Sequence, residues 1–201
     1  MTLTIYGDGK SGNCLKVKWT AEKLAIPYRW LELDVLRAQT RTPDFLALNP
    51  AGQVPLVILD DGRPLAQSNA ILLHLARGSR LIPEDPYLQA RMLEWMFWEQ
   101  YSHEPYVAVA RFQVRYLGRP ADELDPELVR KARAALDRLE AGLEGADWLV
   151  GETFTLADMA LAPYTRFAPE AGLALEAWPR IWEWIDRFET FLGLPRLGDD
   201  R

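Results

Sequence analysis

Residues 2–24 read TLTIYGDGKSGNCLKVKWTAEKL, and this stretch decides how the first part of the chain folds. Thr2–Tyr6 alternates polar and apolar residues, the period of a strand with one buried face. Gly7-Asp8-Gly9-Lys10-Ser11-Gly12-Asn13 is polar and broken by glycine, which reads as a turn. Cys14, Val17, Ala21 and Leu24 then recur at helical spacing, with Lys16, Glu22 and Lys23 on the other side. Pro27 ends that helix.

Outward from this start, Tyr28–Asp34 reads as a second strand. Thr42-Pro43-Asp44-Phe45 opens a short helical segment, and Val54–Leu59 reads as a buried strand. Asp61-Gly62 is a hairpin-turn signal before another short strand near Arg63–Ala66. Ser68–Arg77 reads as a helix with Ile71, Leu72 and Leu75 as its apolar positions. The order is β-α-β, a connection, then β-β-α. Gly78–Pro86 contains Pro83 and Pro86 and reads as a linker.

Beyond the linker only helices are expected. Tyr87 to Leu117 is one long helical pattern with a kink at Pro105. Asp125-Pro126 is an N-cap followed by proline in the first helical position, and that helix runs to about Gly142. Thr155-x-x-Asp158 reads as a capping box, with Phe154 and Met159 placed as its hydrophobic staple. Trp178-Pro179 opens a last helix carrying Ile181, Trp182, Ile185 and Phe188. The expected division is an α/β domain over residues 1–78 and an all-helical domain over 86–201.

Composition bounds the chemistry. Of the 201 residues, 49% are apolar and 11% aromatic, enough for a packed core and against disorder. The single cysteine, Cys14, excludes an internal disulfide framework, a Cys-x-x-Cys pair and a multi-cysteine zinc site. With two histidines, no metal centre is expected. The longest apolar runs, such as Val54–Leu59, fall far short of the ~18 residues that a membrane span needs. Met1-Thr2-Leu3-Thr4 lacks the features of a signal peptide, so a cytoplasmic chain with no membrane partner is expected. The net charge of −6 argues against nucleic acid as a partner. That average is uneven: residues 1–80 carry ten Lys and Arg against seven Asp and Glu, and residues 81–201 carry thirteen against twenty-two. Four of the five lysines lie in the first 23 residues. This suits a small anionic ligand on the first domain, or simply two differently charged solvated faces.

Three segments, in order, carry a family resemblance: Ser11-Gly12-Asn13-Cys14, Asn49-Pro50-Ala51-Gly52-Gln53-Val54-Pro55 and Gln67-Ser68-Asn69-Ala70-Ile71. Together they resemble the glutathione-binding half of a glutathione transferase. Gly151-x-x-x-Thr155-x-Ala157-Asp158 is similar to the capping motif of that family's helical domain. The resemblance implies a thioredoxin-like α/β domain (β-α-β-β-β-α), an all-α C-terminal domain and a homodimer. It is nearest to bacterial theta- or nu-like members that use serine rather than tyrosine.

The residues also have readings of their own. Ser11 lies between a strand and a helix, where a hydroxyl and the positive end of a helix dipole both favour an anion. A hydrogen bond to a thiolate lowers the pKa of the thiol, so Ser11 would activate the sulfur of bound glutathione without being a nucleophile itself. Asn13 is the alternative donor, and a plain helix cap is the bland role for Ser11. Cys14 falls on the apolar stripe and reads as a core residue, although it is the other candidate for thiol chemistry. Members with a catalytic cysteine place it where Ser11 stands.

The resemblance further implies a cis bond at Val54-Pro55, with the Val54 backbone pairing with the tripeptide as a miniature added strand. It places Gln53 and Arg41 at the glycine end of the ligand, with Gln39 as well placed as Arg41. Gln67 and Ser68 would hold the γ-glutamyl carboxylate and amine, Ser68 also capping its helix. Many relatives have glutamate where Gln67 stands.

In the helical half, Trp95, Met96, Phe97, Trp98, Tyr101 and Tyr106 read as core and dimer contacts. Tyr106 and Arg111 are the candidates for the pocket of a small hydrophobic electrophile. His103 with Glu99 reads as a surface pair at i, i+4, or, with Gln100, as a reach toward a neighbouring subunit's ligand. Thr155 and Asp158 read as folding residues. The expected activity is glutathione transfer, with glutathione as co-substrate. Other glutathione chemistry (isomerisation, dehalogenation, disulfide reduction) and a non-catalytic binding or regulatory module are the alternatives.

Overall fold

In the computed structural model, which describes residues 2–197, the opening alternation becomes strand β1 (Leu3–Gly7). Leu3, Ile5 and Gly7 are buried, and Thr4 and Tyr6 are half-buried. Helix α1 (Gly12–Lys23) follows, and strand β2 (Tyr28–Glu32) returns parallel to β1, Ile5 lying opposite Trp30. Parallel neighbours need a long crossover, and α1 supplies it. A short helix α2 (Pro43–Leu48) is capped by Thr42, whose hydroxyl accepts from the Phe45 N–H. Strand β3 (Leu56–Ile58) then pairs antiparallel with β1, and β4 (Pro64–Ala66) antiparallel with β3. The hairpin between them turns at Asp61-Gly62, where Gly62 has φ +86°. The sheet order is β2-β1-β3-β4, the thioredoxin-like arrangement expected from the sequence.

Helix α3 (Ser68–Leu75) packs against α1. Ile71 and Leu72 on α3, Cys14 and Val17 on α1, and Ile5, Leu56 and Val57 on the sheet are all fully buried. Lys16 departs from the amphipathic reading. It is fully buried, because α1 is covered well beyond its apolar stripe: Leu15, Trp19 and Thr20 are buried as well.

The chain divides into two compact units, Met1–Ser79 and Arg80–Arg201. Among its described residues the second has helices and no strand. Helix α4 (Pro86–Trp98) starts on an Asp85 cap. The expected single helix is interrupted by a π-helical turn, Glu99–His103, before α5 (Glu104–Arg115). Proline explains the position of the break. Pro105 has no N–H for the Tyr101 carbonyl and its ring crowds that carbonyl, so the distortion falls in the preceding turn. The Glu104 N–H bonds instead to the Glu99 carbonyl, five residues back.

Helix α6 (Pro126–Gly142) begins on the Asp125 cap. Helix α7 (Leu156–Arg166) begins on the expected capping box, and all eleven of its residues are buried. Phe154, just before it, stacks on Phe191 with centroids 4.3 Å apart. Helix α8 (Pro179–Leu192) has no cap from its own N-cap side chain. Glu140 of α6 supplies one, accepting from the Arg180 and Ile181 N–H groups at 3.1 and 2.9 Å. The buried stripe of α8 is Ile181, Trp184, Ile185 and Phe188; Trp182, expected in it, is exposed. Among the described residues no helix is long and apolar enough to cross a membrane.

Candidate functional site

The site is built where β1 hands over to α1. The loop between them is tied down from several sides. The Asp8 carboxylate accepts from the Lys10 N–H at 2.8 Å, and the Asp8 carbonyl accepts from the Ser11 N–H at 2.9 Å. Glu32 on β2 accepts from the Gly9 N–H at 2.8 Å and from the Trp30 indole at 2.6 Å. These bonds fix Ser11 as the N-cap of α1, with φ −78° and ψ 122°. Its hydroxyl accepts a long 3.4 Å bond from the Cys14 N–H. The hydroxyl only accepts in that bond, so the proton of this half-buried oxygen can turn from the neighbouring Cys14 sulfur to an anion held at the positive end of α1.

Cys14 is fully buried, and burial pushes its thiol up to about 12. Hydrogen bonds from the Asp8 N–H and from Ser11 offset only part of that. Such a thiol stays protonated and inert at neutral pH.

Asn13, one step before Cys14, sits in a polar junction. The Lys16 ammonium donates to Asn13 Oδ1 at 2.7 Å, and the Ser68 hydroxyl donates to the same oxygen at 3.1 Å. This bond joins the first and third of the segments that carry the family resemblance, across 55 residues of chain. Ser68 is not the helix cap that the sequence suggested. It is the first residue of α3, and its hydroxyl turns to Asn13. Gln67 takes the N-cap place with φ +70° and makes no side-chain capping bond. A non-glycine residue rarely holds that conformation, and it leaves the Gln67 side chain exposed.

The second segment is a loop organised by Asn49. Its Nδ2 donates to the Gln53 carbonyl at 2.8 Å, and its Oδ1 accepts from the Ala51 N–H at 3.2 Å. Gly52 has φ +61°, and a Cβ there would run into the Arg41 guanidinium. Arg41 reaches the loop and donates to the Ala51 carbonyl at 3.2 Å. Gln39 turns away, accepting from the Asp34 N–H at 2.7 Å. Of the two residues equally placed by sequence, Arg41 is thus the one beside the Gly52-Gln53 loop. Gln53 is exposed, Val54 half-buried, and the Val54-Pro55 bond is cis.

In the helical unit, Tyr106 lies under the Lys131 ammonium, 5.3 Å from its ring centre. Arg111 is buried. Its Nε is 2.9 Å from Glu170 Oε2, and its guanidinium lies 4.4 Å over the Phe167 ring. Its charge is therefore engaged within the unit. Glu99 and His103 are not a surface pair; both are fully buried in the π-helical turn. His103 Nε2 lies 3.0 Å from the Thr165 hydroxyl. Gln100 bridges the Glu99 and Glu104 carboxylates at 2.8 and 2.7 Å.

Lys16 is the site-region residue that sequence reading missed. Its spacing put it on the polar side of α1. The one available signal was Asn13 three residues earlier, on the same helical face.

Residues 1–77 match the family described as glutathione S-transferase, N-terminal domain, and residues 95–190 match the C-terminal domain of the same family. A glutathione S-transferase structure from Pseudomonas fluorescens is 42% identical, with a TM-score of 0.92 over 99% of this chain and 100% of that one. One from Xanthobacter autotrophicus is also 42% identical, with a TM-score of 0.91 over 98% and 97%. The chain is also 26% identical to the disulfide-bond oxidoreductase YfcG of Escherichia coli, covering 92% of this chain and 93% of that protein. The matches to both domains and the 42% identity over nearly the whole length show that the chain belongs to the glutathione S-transferase family.

Proposed function

We propose that this chain is an active glutathione transferase in which Ser11 stabilises the thiolate of bound glutathione for attack on a small apolar electrophile. The observation that carries the reading is the placement of Ser11. It caps α1 with its hydroxyl proton unused by the capping bond, and Asn13 of the same segment is joined to Ser68. The Ser11 hydroxyl and the N-terminal amides of α1 favour the charged form of a thiol brought to them. The thiol proton leaves to solvent. The thiolate then forms a carbon–sulfur bond to the electrophile, and the leaving group departs with the electron pair of the broken bond. In this reading Gln67 and Ser68 hold the γ-glutamyl end, the Val54 backbone pairs with the tripeptide, and Gln53 and Arg41 face its glycine end. Tyr106 and Arg111 of the helical unit are the candidates for the electrophile's pocket, the Arg111 charge being already engaged by Glu170. A cytoplasmic homodimer belongs to the same reading.

The test is Ser11→Ala. Loss of one hydrogen bond to a charged group, about 1.5–3 kcal/mol, raises the thiol pKa of bound glutathione by about one to two units and slows aryl halide conjugation about 10- to 100-fold at neutral pH. An unchanged thiolate absorbance and pH–rate profile would overturn the assignment.

Disulfide reduction is the second reading, favoured by the likeness to YfcG. With Cys14 buried and its thiol held up at about 12, the working sulfurs would be those of the ligand. Turnover of a mixed glutathione disulfide exceeding that of aryl halides would favour this reading.

A further inference from the structure

The structure assigns Lys16 as a positioning residue that sets the polarity of Asn13 and Ser68. This rests on the glutathione reading of the site. Lys16 is fully buried one turn beyond Asn13 on α1, and its Nζ is 2.7 Å from Asn13 Oδ1. An ammonium has only donors, so the amide atom facing it must be the carbonyl oxygen. The second contact agrees, because that oxygen also accepts from the Ser68 hydroxyl at 3.1 Å. The Asn13 amide therefore has one orientation, with its carbonyl engaged by two donors.

Two consequences follow for a ligand. What Asn13 presents to it is the NH₂ group, a donor suited to a thiolate or carboxylate. A full positive charge on the carbonyl end polarises the amide and strengthens that donor. The Ser68 hydroxyl, having given its proton to Asn13, presents lone pairs, which suit the γ-glutamyl ammonium. One buried ammonium thus sets the polarity of two groups that serve opposite charges at different points of the tripeptide. A buried charge is costly unless well bonded, so a lysine placed here for packing alone would be a poor choice.

The experiment compares wild-type protein, Lys16→Met, Asn13→Leu and the double variant Lys16→Met/Asn13→Leu. The double variant replaces the polar pair by apolar side chains of similar size and keeps the assignment testable if the single variant folds poorly. The readouts are the thiolate absorbance of bound glutathione against pH, and KM and kcat at saturating glutathione. Lys16→Met is expected to raise the bound thiol pKa by about one unit and KM for glutathione about tenfold. At a pH where the thiol is fully ionised, kcat should change less than about twofold, since the chemistry itself is untouched. The double variant should show the pKa rise of Asn13→Leu alone and no more, because Lys16 acts through Asn13; a further rise on adding Lys16→Met overturns the assignment. A purely structural lysine would lower the melting temperature and leave the pH profile in place; that result in Lys16→Met overturns the assignment. Wild-type protein without a glutathione thiolate band overturns the reading of the site itself, before any variant is compared.

Discussion

The indole N–H of Trp184 on α8 donates to the Asp158 carboxylate on α7 at 2.9 Å, and both residues are fully buried. The same carboxylate accepts from the Leu149 and Thr155 N–H groups at 3.0 and 2.9 Å and meets the Thr155 hydroxyl at 3.2 Å. One side chain thus caps α7, anchors the preceding loop and joins α7 to α8. Asp158→Asn would turn an amide NH₂ against donors in either orientation. The expected loss is about 2–4 kcal/mol, read from urea unfolding. Burial raises the Asp158 pKa against the pull of these hydrogen bonds. The folded state therefore keeps this proton longer than the unfolded state does. Its contribution is fully present below the ordinary carboxyl range and is lost as pH rises toward the raised value. The stability advantage of wild type over Asp158→Asn should narrow as pH rises.

Cys14 should be silent toward alkylation in the native protein. With its thiol held at about 12, iodoacetamide labelling near neutral pH should run about a thousandfold slower than in urea. Cys14→Ala should keep glutathione turnover. Rapid native labelling, or loss of turnover in a folded Cys14→Ala variant, would return Cys14 to the catalytic role that its burial argues against. The linkage has the same sign as for Asp158: stability from this group is complete below the usual thiol range and is lost as pH climbs from 9.0 toward about 12.

Gly52→Ala tests the loop that Arg41 braces. The residue sits at φ +61°, and the new methyl would meet the Arg41 guanidinium and approach the Thr40 carbonyl to 3.0 Å. About 1–2 kcal/mol of stability should be lost to the backbone conformation alone. If Arg41 and Gln53 bind the glycine end of glutathione, KM should rise several-fold while kcat changes little. Steady-state kinetics with a thermal melt separates the two effects, and an unchanged KM would remove this loop from the binding site.

Arg166 and Glu189 form a buried ion pair at 2.6 Å. Arg166 also donates to the Pro195 carbonyl, and Glu189 accepts from the Leu197 N–H at 3.0 Å. Glu189→Ala leaves a guanidinium buried without its counter-ion and should cost about 3–5 kcal/mol. The paired change Arg166→Met/Glu189→Leu should recover most of that loss. A double-mutant cycle by denaturant titration measures the coupling.

The order of elements was readable because the signals were local. Asp125-Pro126, Thr155-x-x-Asp158 and Asp61-Gly62 each act through their own backbone neighbours, and each appears where the sequence places it. The three segments that carry the family resemblance were readable only as a set. Misreadings arose where burial depends on partners distant in sequence. Lys16 and Glu99 have the composition of a wet face, but their surroundings are supplied by other elements. The turn at Glu99–His103 also shifts the helical register, so an i, i+4 rule applied across it misplaced His103. On α8 the buried tryptophan is Trp184 rather than Trp182, and it is the one at i+3 from Ile181. Ser68 was read as a cap from its type and place, but its hydroxyl answers to Asn13, 55 residues earlier.

Helix α7 has no wet side: every residue from Leu156 to Arg166 is covered. An amphipathic helix such as α6 gives a lineage positions at which substitutions accumulate harmlessly. In α7 each change must be absorbed by a neighbour or rejected. Evolution can therefore alter this segment only in compensated steps, and a saturation library of the chain should show it as an almost blank band. Change within this unit must then fall on the surrounding helices, with α7 as the fixed spindle about which they vary.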